Sequence, residues 1–434
     1  MNVGFISLGC SKNLVDTEMV IGLFKNNKFN IVNDPNIADI IIVNTCGFIK
    51  SAKEESINTI LEMIEYKNKH CKYLIVMGCL VERYKTDLQK DIPEVDLWIS
   101  IQDYDNLFNH IQKLIKKDMQ YCNRLEYHNR VITTGNKTAY LKIAEGCDNK
   151  CTYCAIPYIR GKYISRPIDE ILEEATRLAE IGVKELILVA QDTTKYGIDI
   201  YGKPCLSTLL EKLTKIEHIK WIRFLYAYPE TITDELIKTV NSNDKICNYF
   251  DIPIQHISDK ILKVMNRKSN SKSIQATINK IRENIPDVII RTTLIVGFPG
   301  ETNNDFEQLY KFVRYTKFNK LGVFKYSKED GTPAEKLPNQ IHYKTKQARY
   351  TKIMSLQKQI VYENLKDNIG KTYKVLIDNR TSDGKYYIGR TYMDVPNEDA
   401  VVYIKNIKDN LVGEFVNCKI TDVIDYDLIG VIVS

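Results

Sequence analysis

No uninterrupted apolar run in this chain approaches the roughly 18 residues that a membrane-spanning helix needs. Its start, MNVGFISLGCSKN, has neither a basic n-region nor a cleavable apolar stretch, so a cytoplasmic location with no membrane contact is expected. The 6 histidines are too few and too scattered for a histidine-rich metal site. No period of 20–50 residues repeats and no low-complexity stretch occurs, which excludes a solenoid. An even, secretory set of cysteines is also missing. The 11 present are odd in number and follow no export signal, so a disulfide framework is excluded and metal or redox work is favoured. With 434 residues the chain is expected to form two or three domains and needs no covalent staples to fold.

Charge divides the chain. Residues 1–116 hold 13 Lys/Arg against 15 Asp/Glu, and residues 366–434 hold 9 against 11. The middle holds 39 against 29, so any strongly basic surface belongs there rather than to the tail.

The first segment alternates strand and helix. NVGFISLGC (2–10), ADIIIVNTCG (38–47) and KYLIVMGC (72–79) read as buried strands. KSAKEESINTILEMIEYKNK (50–69) reads as an amphipathic helix with Ile57, Ile60, Leu61 and Ile64 on its inner face, and another helix is expected near 104–117. Alternation of this kind implies an open parallel sheet covered on both faces. The second segment shows six apolar strands, at 139–146, 185–193, 221–229, 249–256, 288–301 and 320–328, separated by helical stretches. Six β/α units suggest a partial barrel, with an open doubly wound sheet as the alternative. The third segment follows a basic helix (343–368) that is expected to be a solvated face. Its short strands and Gly, Asp and Asn turns suggest a small antiparallel β-barrel. The chain is thus expected to be α/β, with domains at 1–116, 133–363 and 366–434.

Cys10, Cys46 and Cys79 each fall at the C-terminal end of one strand of the first segment, the edge where open parallel sheets bind ligands. In the second segment, EGCDNKCTYCAIPYIRG (145–161) carries Cys147, Cys151 and Cys154 in C-x3-C-x2-C spacing. Three thiolates can hold three irons of a four-iron cluster and leave the fourth iron open. The competing reading is structural zinc, which wants a fourth Cys or His that this stretch does not supply nearby. Cys71, Cys122, Cys205, Cys247 and Cys418 fit neither set and are expected to be structural thiols. Gln191, Asp192 and His256 end strands that should face the site, either to act there or to satisfy loop backbone.

The C-x3-C-x2-C stretch resembles the signature of the radical S-adenosylmethionine enzymes. That resemblance implies a 4Fe-4S cluster whose open iron holds S-adenosylmethionine, and one-electron cleavage to a 5′-deoxyadenosyl radical. It implies a place near the adenine for Tyr153, and one beside the cofactor for the VGFPGE loop (296–301), with Gly297, Pro299, Gly300 and Glu301. Gln191 is counted with them as cofactor-binding. No side chain is singled out as a catalytic acid, base or nucleophile.

The three N-terminal cysteines, the cysteine-bearing barrel and the small terminal β domain together resemble the methylthiotransferases, over essentially the whole chain. In that family Cys10, Cys46 and Cys79 would hold a second 4Fe-4S cluster, and the terminal domain would be of the TRAM type. SLGCSKNLVDTE (7–18), NTCGFIKSAKEES (44–56), CAIPYIRG (154–161), VAQDTTKYG (189–197), DIPIQHISDKILKVMNR (251–267) and GVFKYSKEDGTPA (322–334) resemble the branch that acts on a ribosomal protein. The implied reaction adds a methylthio group to the β-carbon of an aspartate in small-subunit ribosomal protein twelve, free or in the subunit. It would consume two S-adenosylmethionine molecules and draw electrons from a donor such as flavodoxin or ferredoxin, with no tRNA partner. The alternative is the branch that modifies tRNA adenosine.

Overall fold

A computed structural model describes residues 1–116, 125–135, 137–405 and 410–433. Cys122 lies outside the described residues.

The N-terminal part is a five-stranded parallel sheet in the order β2-β1-β3-β4-β5, made of β1 (Asn2–Ser7), β2 (Asn30–Val32), β3 (Ile40–Thr45), β4 (Tyr73–Gly78) and β5 (Leu97–Ile99). Three of these strands were legible as apolar runs. The two edge strands are three residues long, too short to show a period. Helices α1 (Ser11–Asn26), α2 (Lys50–Ile64) and α3 (Cys79–Asp91) cover the sheet. Side chains of alternate residues enter two cores, one with Val3, Ile40 and Ile42, the other with Ile41, Val43 and Ile60. Leu61 departs from expectation: it is 48% exposed, because α2 packs through Ser56, Ile60 and Met63, and Leu61 lies one 100° step off that line.

The central part has six parallel strands in sequential order: β6 (Thr138–Lys142), β9 (Glu185–Val189), β10 (Trp221–Phe224), β11 (Tyr249–Asp251), β12 (Ile289–Val296) and β13 (Lys320–Lys325). A bridge from Ile222 to Ile246 joins its two halves. A two-residue pair, β7 (Ala144–Glu145) with β8 (Ile164–Ser165), frames the loop between them. Alternation again separates two cores. Ala139, Leu141, Leu186, Leu188, Ile222 and Phe224 pack under the helices. Tyr140, Ile187, Val189, Trp221 and Tyr249 face the concave side and pack against Val15 of α1 and against Met393 and Val395 of the C-terminal part. The partial barrel is therefore filled by its two neighbours. The basic helix, Tyr343–Lys366, is not a wholly solvated face: Arg349, Ile353, Gln357, Ile360 and Leu365 recur at helical spacing and are buried.

The C-terminal part is a closed five-stranded barrel, β14 (Thr372–Arg380), β15 (Tyr386–Arg390), β16 (Val402–Lys405), β17 (Phe415–Ile424) and β18 (Asp427–Ile432), in the order β14-β15-β16-β18-β17. The expected antiparallel pattern holds for every pair but one: β16 and β18 are parallel. Strands that reverse at each connection cannot all be antiparallel to their neighbours in a closed ring of odd number.

Candidate functional site: two cysteine trios joined by a buried ionic network

Because β1, β3 and β4 are adjacent in the sheet, the residues that follow them meet at one edge. Cys10 caps the start of α1, Cys46 follows β3, and Cys79 opens α3. The approach is close enough that a Cβ on Gly9 would stand 2.7 Å from Cys46 Cβ. Gly78 is held at φ 103°, and a Cβ there would stand 2.3 Å from Asn44 Oδ1. Two residues not singled out in the sequence fix this edge. Ser56 Oγ accepts from the Cys46 N–H and donates to the Cys46 carbonyl, both at 3.0 Å. Asn13 Nδ2 donates to the carbonyls of Leu8 and Thr45, and its Oδ1 accepts from the Cys79 thiol at 3.3 Å. Cys10 is exposed, whereas Cys46 and Cys79 are buried. Burial pushes the Cys46 thiol up to about 12, reinforced by Cys79 and Cys10. Burial also raises Cys79, against the pull of Arg160.

The second trio sits in the loop after β7. A Cβ on Gly146 would fall 1.9 Å from the Lys162 carbonyl, so the chain doubles back on itself here, and the Cys147 N–H donates to the Gly161 carbonyl at 3.1 Å. The loop is pinned to later segments: the Thr152 N–H donates to Met265, Thr152 Oγ1 to Val264, and the Ala334 N–H to Thr152. Burial raises the Cys147 and Cys154 thiols, and the neighbouring cysteines add to both shifts.

Among the described residues, no three Cys, His, Asp or Glu side chains converge as the ligands of one metal ion do. In a four-iron cluster each thiolate takes a different iron, so the donors need not converge on one point. Three thiols per site, with no fourth Cys or His completing a metal site among the described residues, fit a cluster with one open iron better than a four-ligand zinc site. Buried thiols of this kind ionise as metal binds.

Between the trios lies a compact set of buried charges. Arg160 Nη1 pairs with Asp16 at 2.8 Å and Glu145 at 3.0 Å. Its Nη2 donates to Asn13 Oδ1 and, at 3.5 Å, to Cys79 Sγ. Lys142 pairs with the same two carboxylates. Burial would raise the Glu145 carboxyl, but Lys142 and Arg160 outweigh it and hold it below its ordinary range. A second link closes over the site: Glu329, after β13, pairs with Lys53 of α2 at 3.0 Å and with Arg83 of α3 at 3.3 Å.

The expected cofactor residues gather around the second trio. Tyr153 meets Phe298 edge-on at 6.4 Å, which brings the cysteine loop against the Gly297–Glu301 turn. Gly300 opens onto free space and Pro299 is buried. Gly297 faces Lys346, whose Cγ would stand 2.3 Å from an added Cβ. Glu301 serves the turn itself: it accepts from the N–H groups of Gly297 and Phe298 and pairs with Arg349 at 3.3 Å. Gln191 Nε2 donates to Glu145 at 2.8 Å, while its buried Oε1 has no hydrogen-bond partner among the described residues. His256 Nδ1 accepts from the Ser258 N–H at 2.9 Å, and Asp192 accepts from Asn149 and Thr194. Both hold loop geometry. Cys71, Cys205, Cys247 and Cys418 are buried away from either trio.

Residues 2–100 match the uncharacterized protein family UPF0004, residues 141–313 the radical SAM superfamily, and residues 369–433 the TRAM domain. The chain is 65% identical over 431 residues to the ribosomal protein uS12 methylthiotransferase RimO of Alkaliphilus oremlandii, covering 99% of this chain and 98% of that one. It is 51% identical to the protein of the same name from Acetivibrio thermocellus, covering 100% and 98%. Among solved structures, the radical S-adenosylmethionine methyltransferase TsrM from Kitasatospora setae, with cobalamin and a 4Fe-4S cluster bound, aligns with a TM-score of 0.58 at 10% identity, covering 77% of each chain. That likeness speaks to fold alone.

Proposed function

The chain belongs to the radical S-adenosylmethionine methylthiotransferases of the RimO family, and from that membership we propose that it adds a methylthio group to the β-carbon of an aspartate in ribosomal protein uS12. The observation that carries the reading is the pair of cysteine trios joined through Arg160, which lies on the radical-SAM loop and reaches Cys79. In this reading Cys147, Cys151 and Cys154 hold one 4Fe-4S cluster, and Cys10, Cys46 and Cys79 hold a second. When loaded, the first supplies the electron that splits S-adenosylmethionine into methionine and a hydrogen-abstracting radical, and the second supplies the sulfur that is methylated and transferred.

The protein's own part is placement. Tyr153, Gln191 Oε1 and the turn from Gly297 through Pro299 to Gly300 line the S-adenosylmethionine site, with Glu301 shaping the turn. Asp16, Lys142, Glu145 and Arg160 fix the distance between trios, since a carbon radical must meet its sulfur donor without diffusing. The Glu329 link to Lys53 and Arg83 ties the central part to α2 and α3, and in this reading it helps to keep water from the reacting groups. Residues 1–116 carry the sulfur-donating site, 133–363 the radical site, and 366–434 substrate contacts. The terminal segment's slight acidity suits a basic ribosomal protein better than tRNA phosphates. Flavodoxin or ferredoxin would donate electrons, and the reaction would take place in the cytoplasm.

The test is mass spectrometry of uS12 and of tRNA from cells with and without this protein. Loss of the methylthio mass on the uS12 aspartate supports the reading. Loss of a methylthio nucleoside from tRNA, with uS12 unchanged, replaces it with the tRNA-modifying alternative.

A further inference from the structure

Lys12 is the second residue of α1, two positions after Cys10, and it is 7% exposed. Its ammonium lies 3.5 Å from the centroid of the Tyr226 ring. Tyr226 stands just beyond β10, at the C-terminal mouth of the partial barrel, with φ 64°, a conformation that bulky residues rarely adopt. Its N–H donates to Asp251 at 3.0 Å and its carbonyl accepts from the Thr193 N–H at 3.2 Å, so the strained backbone is anchored on both sides.

A buried ammonium ordinarily has a carboxylate partner. The neighbouring Cys10 thiol supports the Lys12 charge most, followed by the carboxylates Glu145 and Glu398, and both carboxylates are engaged elsewhere. Glu145 serves Lys142, Arg160 and Gln191, and Glu398 pairs with Arg291 at 2.6 Å. Among the described residues no carboxylate forms an ion pair with Lys12. Two further groups at the start of α1 are unsatisfied: the helix begins without a side-chain cap, and the buried Ser11 Oγ has no hydrogen-bond partner among the described residues. The Lys12 charge, an uncapped helix start and an orphaned hydroxyl thus all belong to the three residues that begin with Cys10, the exposed member of its trio.

We propose that Lys12, backed by the Tyr226 ring, is the residue that binds the side-chain carboxylate of the substrate aspartate. The inference rests on the uS12 reading above and specifies how that substrate is recognised. The β-carbon of aspartate is bonded directly to its carboxylate carbon. A carboxylate held on Lys12 thus brings the reacting carbon to the helix start that carries Cys10. An amide or a neutral nucleobase offers no matching charge, so the same contact selects an acidic side chain.

The experiment uses reconstituted holoenzyme with two probes: uS12, and uS12 whose target aspartate is changed to asparagine. Unaltered enzyme should bind the aspartate form about tenfold more tightly or better, the worth of one charge-assisted contact. Lys12→Met should bind both forms alike, at the affinity of the unaltered enzyme for the asparagine form, and its loss with uS12 should fall on KM more than on kcat. Iron content and the unfolding midpoint monitor the fold of the variant, and Lys12→Gln serves as a second variant. Discrimination that survives in Lys12→Met overturns the inference. So does its absence from the unaltered enzyme, a comparison that needs no variant. If the unaltered enzyme modifies tRNA and ignores uS12, the proposed function falls and takes this inference with it. If it methylthiolates uS12 while Lys12→Met still prefers aspartate, the inference alone falls.

Discussion

Arg160 donates to Cys79 Sγ at 3.5 Å although 81 residues separate them and they belong to different parts of the fold. The same guanidinium holds Asp16 and Glu145, so it is the keystone of the boundary between the two trios. Arg160→Met should leave Lys142 as the one cation paired with those two carboxylates among the described residues and cost about 3–5 kcal/mol, the usual result of breaking a buried pair from one side. Denaturant unfolding measures it. Loss of an N–H···S donor should also move the midpoint potential of the N-terminal cluster to more negative values, read by redox titration with electron paramagnetic resonance.

Iron content separates the two sites. Anaerobic reconstitution should give roughly eight irons, two clusters of four. Cys151→Ala should lose about half of them together with all S-adenosylmethionine cleavage. Cys46→Ala should lose the other half and abolish methylthiolation. Full iron in both variants would remove the assignment.

Gly9 offers a steric test. A methyl group there meets Cys46 Cβ at 2.7 Å, and the residue has φ 86°. Gly9→Ala should destabilise the protein by about 1–3 kcal/mol and lower iron retention at the N-terminal site, while Cys147, Cys151 and Cys154 keep theirs. Thermal unfolding and iron analysis report the two effects.

The contact with the C-terminal barrel should be acid-sensitive. Burial opposes the Glu185 charge, yet Arg390, at 2.8 Å, and Arg223, at 3.0 Å, outweigh it and bring the carboxyl down to about 2 from an ordinary 4.5. A folded-state value below the unfolded one contributes stability in full above pH 4.5, and loses it as the pH falls from 4.5 toward 2. Asp378, on the other side of Arg390, is shifted upward by burial and has the opposite slope. Glu185→Gln should lower stability at neutral pH and flatten its decline between pH 4.5 and 2, followed by circular dichroism against the parent protein.

Much of this site is legible in the sequence because cysteine spacing and strand ends are local properties. Cys147, Cys151 and Cys154 declare themselves by spacing. Cys10, Cys46 and Cys79 do so because each ends an apolar run in a parallel sheet. Strands β2 and β5 escape because three residues carry no period. The parallel β16–β18 pair escapes because it follows from ring closure, which no segment encodes by itself.

Side-chain direction is the other blind spot. Glu301 and His256 occupy positions that suggest a ligand site, but Glu301 Oε2 and His256 Nδ1 accept from their own loops, while Glu301 Oε1 faces Arg349 at 3.3 Å and His256 Nε2 at 4.0 Å. Lys12, Asn13 and Ser56 read as ordinary first-turn or helix-surface residues until α1 and α2 are placed against the sheet edge. Their roles depend on distant partners: Cys46 lies 10 positions from Ser56, Cys79 lies 66 from Asn13, and Tyr226 lies 214 from Lys12.

The concave face of the central strands is filled by Val15 from one neighbour and by Met393 and Val395 from the other, while Lys320 pairs with Asp394 at 2.6 Å and Arg291 adds Glu398, at 2.6 Å, and Asp399 to its own neighbour Asp251. None of the three parts is thus a cassette. A chimera that exchanged the terminal barrel for one from a distant enzyme would strip Lys320 of Asp394, leave Arg291 with Asp251 alone and open the interior of the strands to solvent. Recombination within this architecture is confined to exchanges that carry segment 390–399 and the charges that receive it together, so the terminal barrel and the central strands must diverge as one unit.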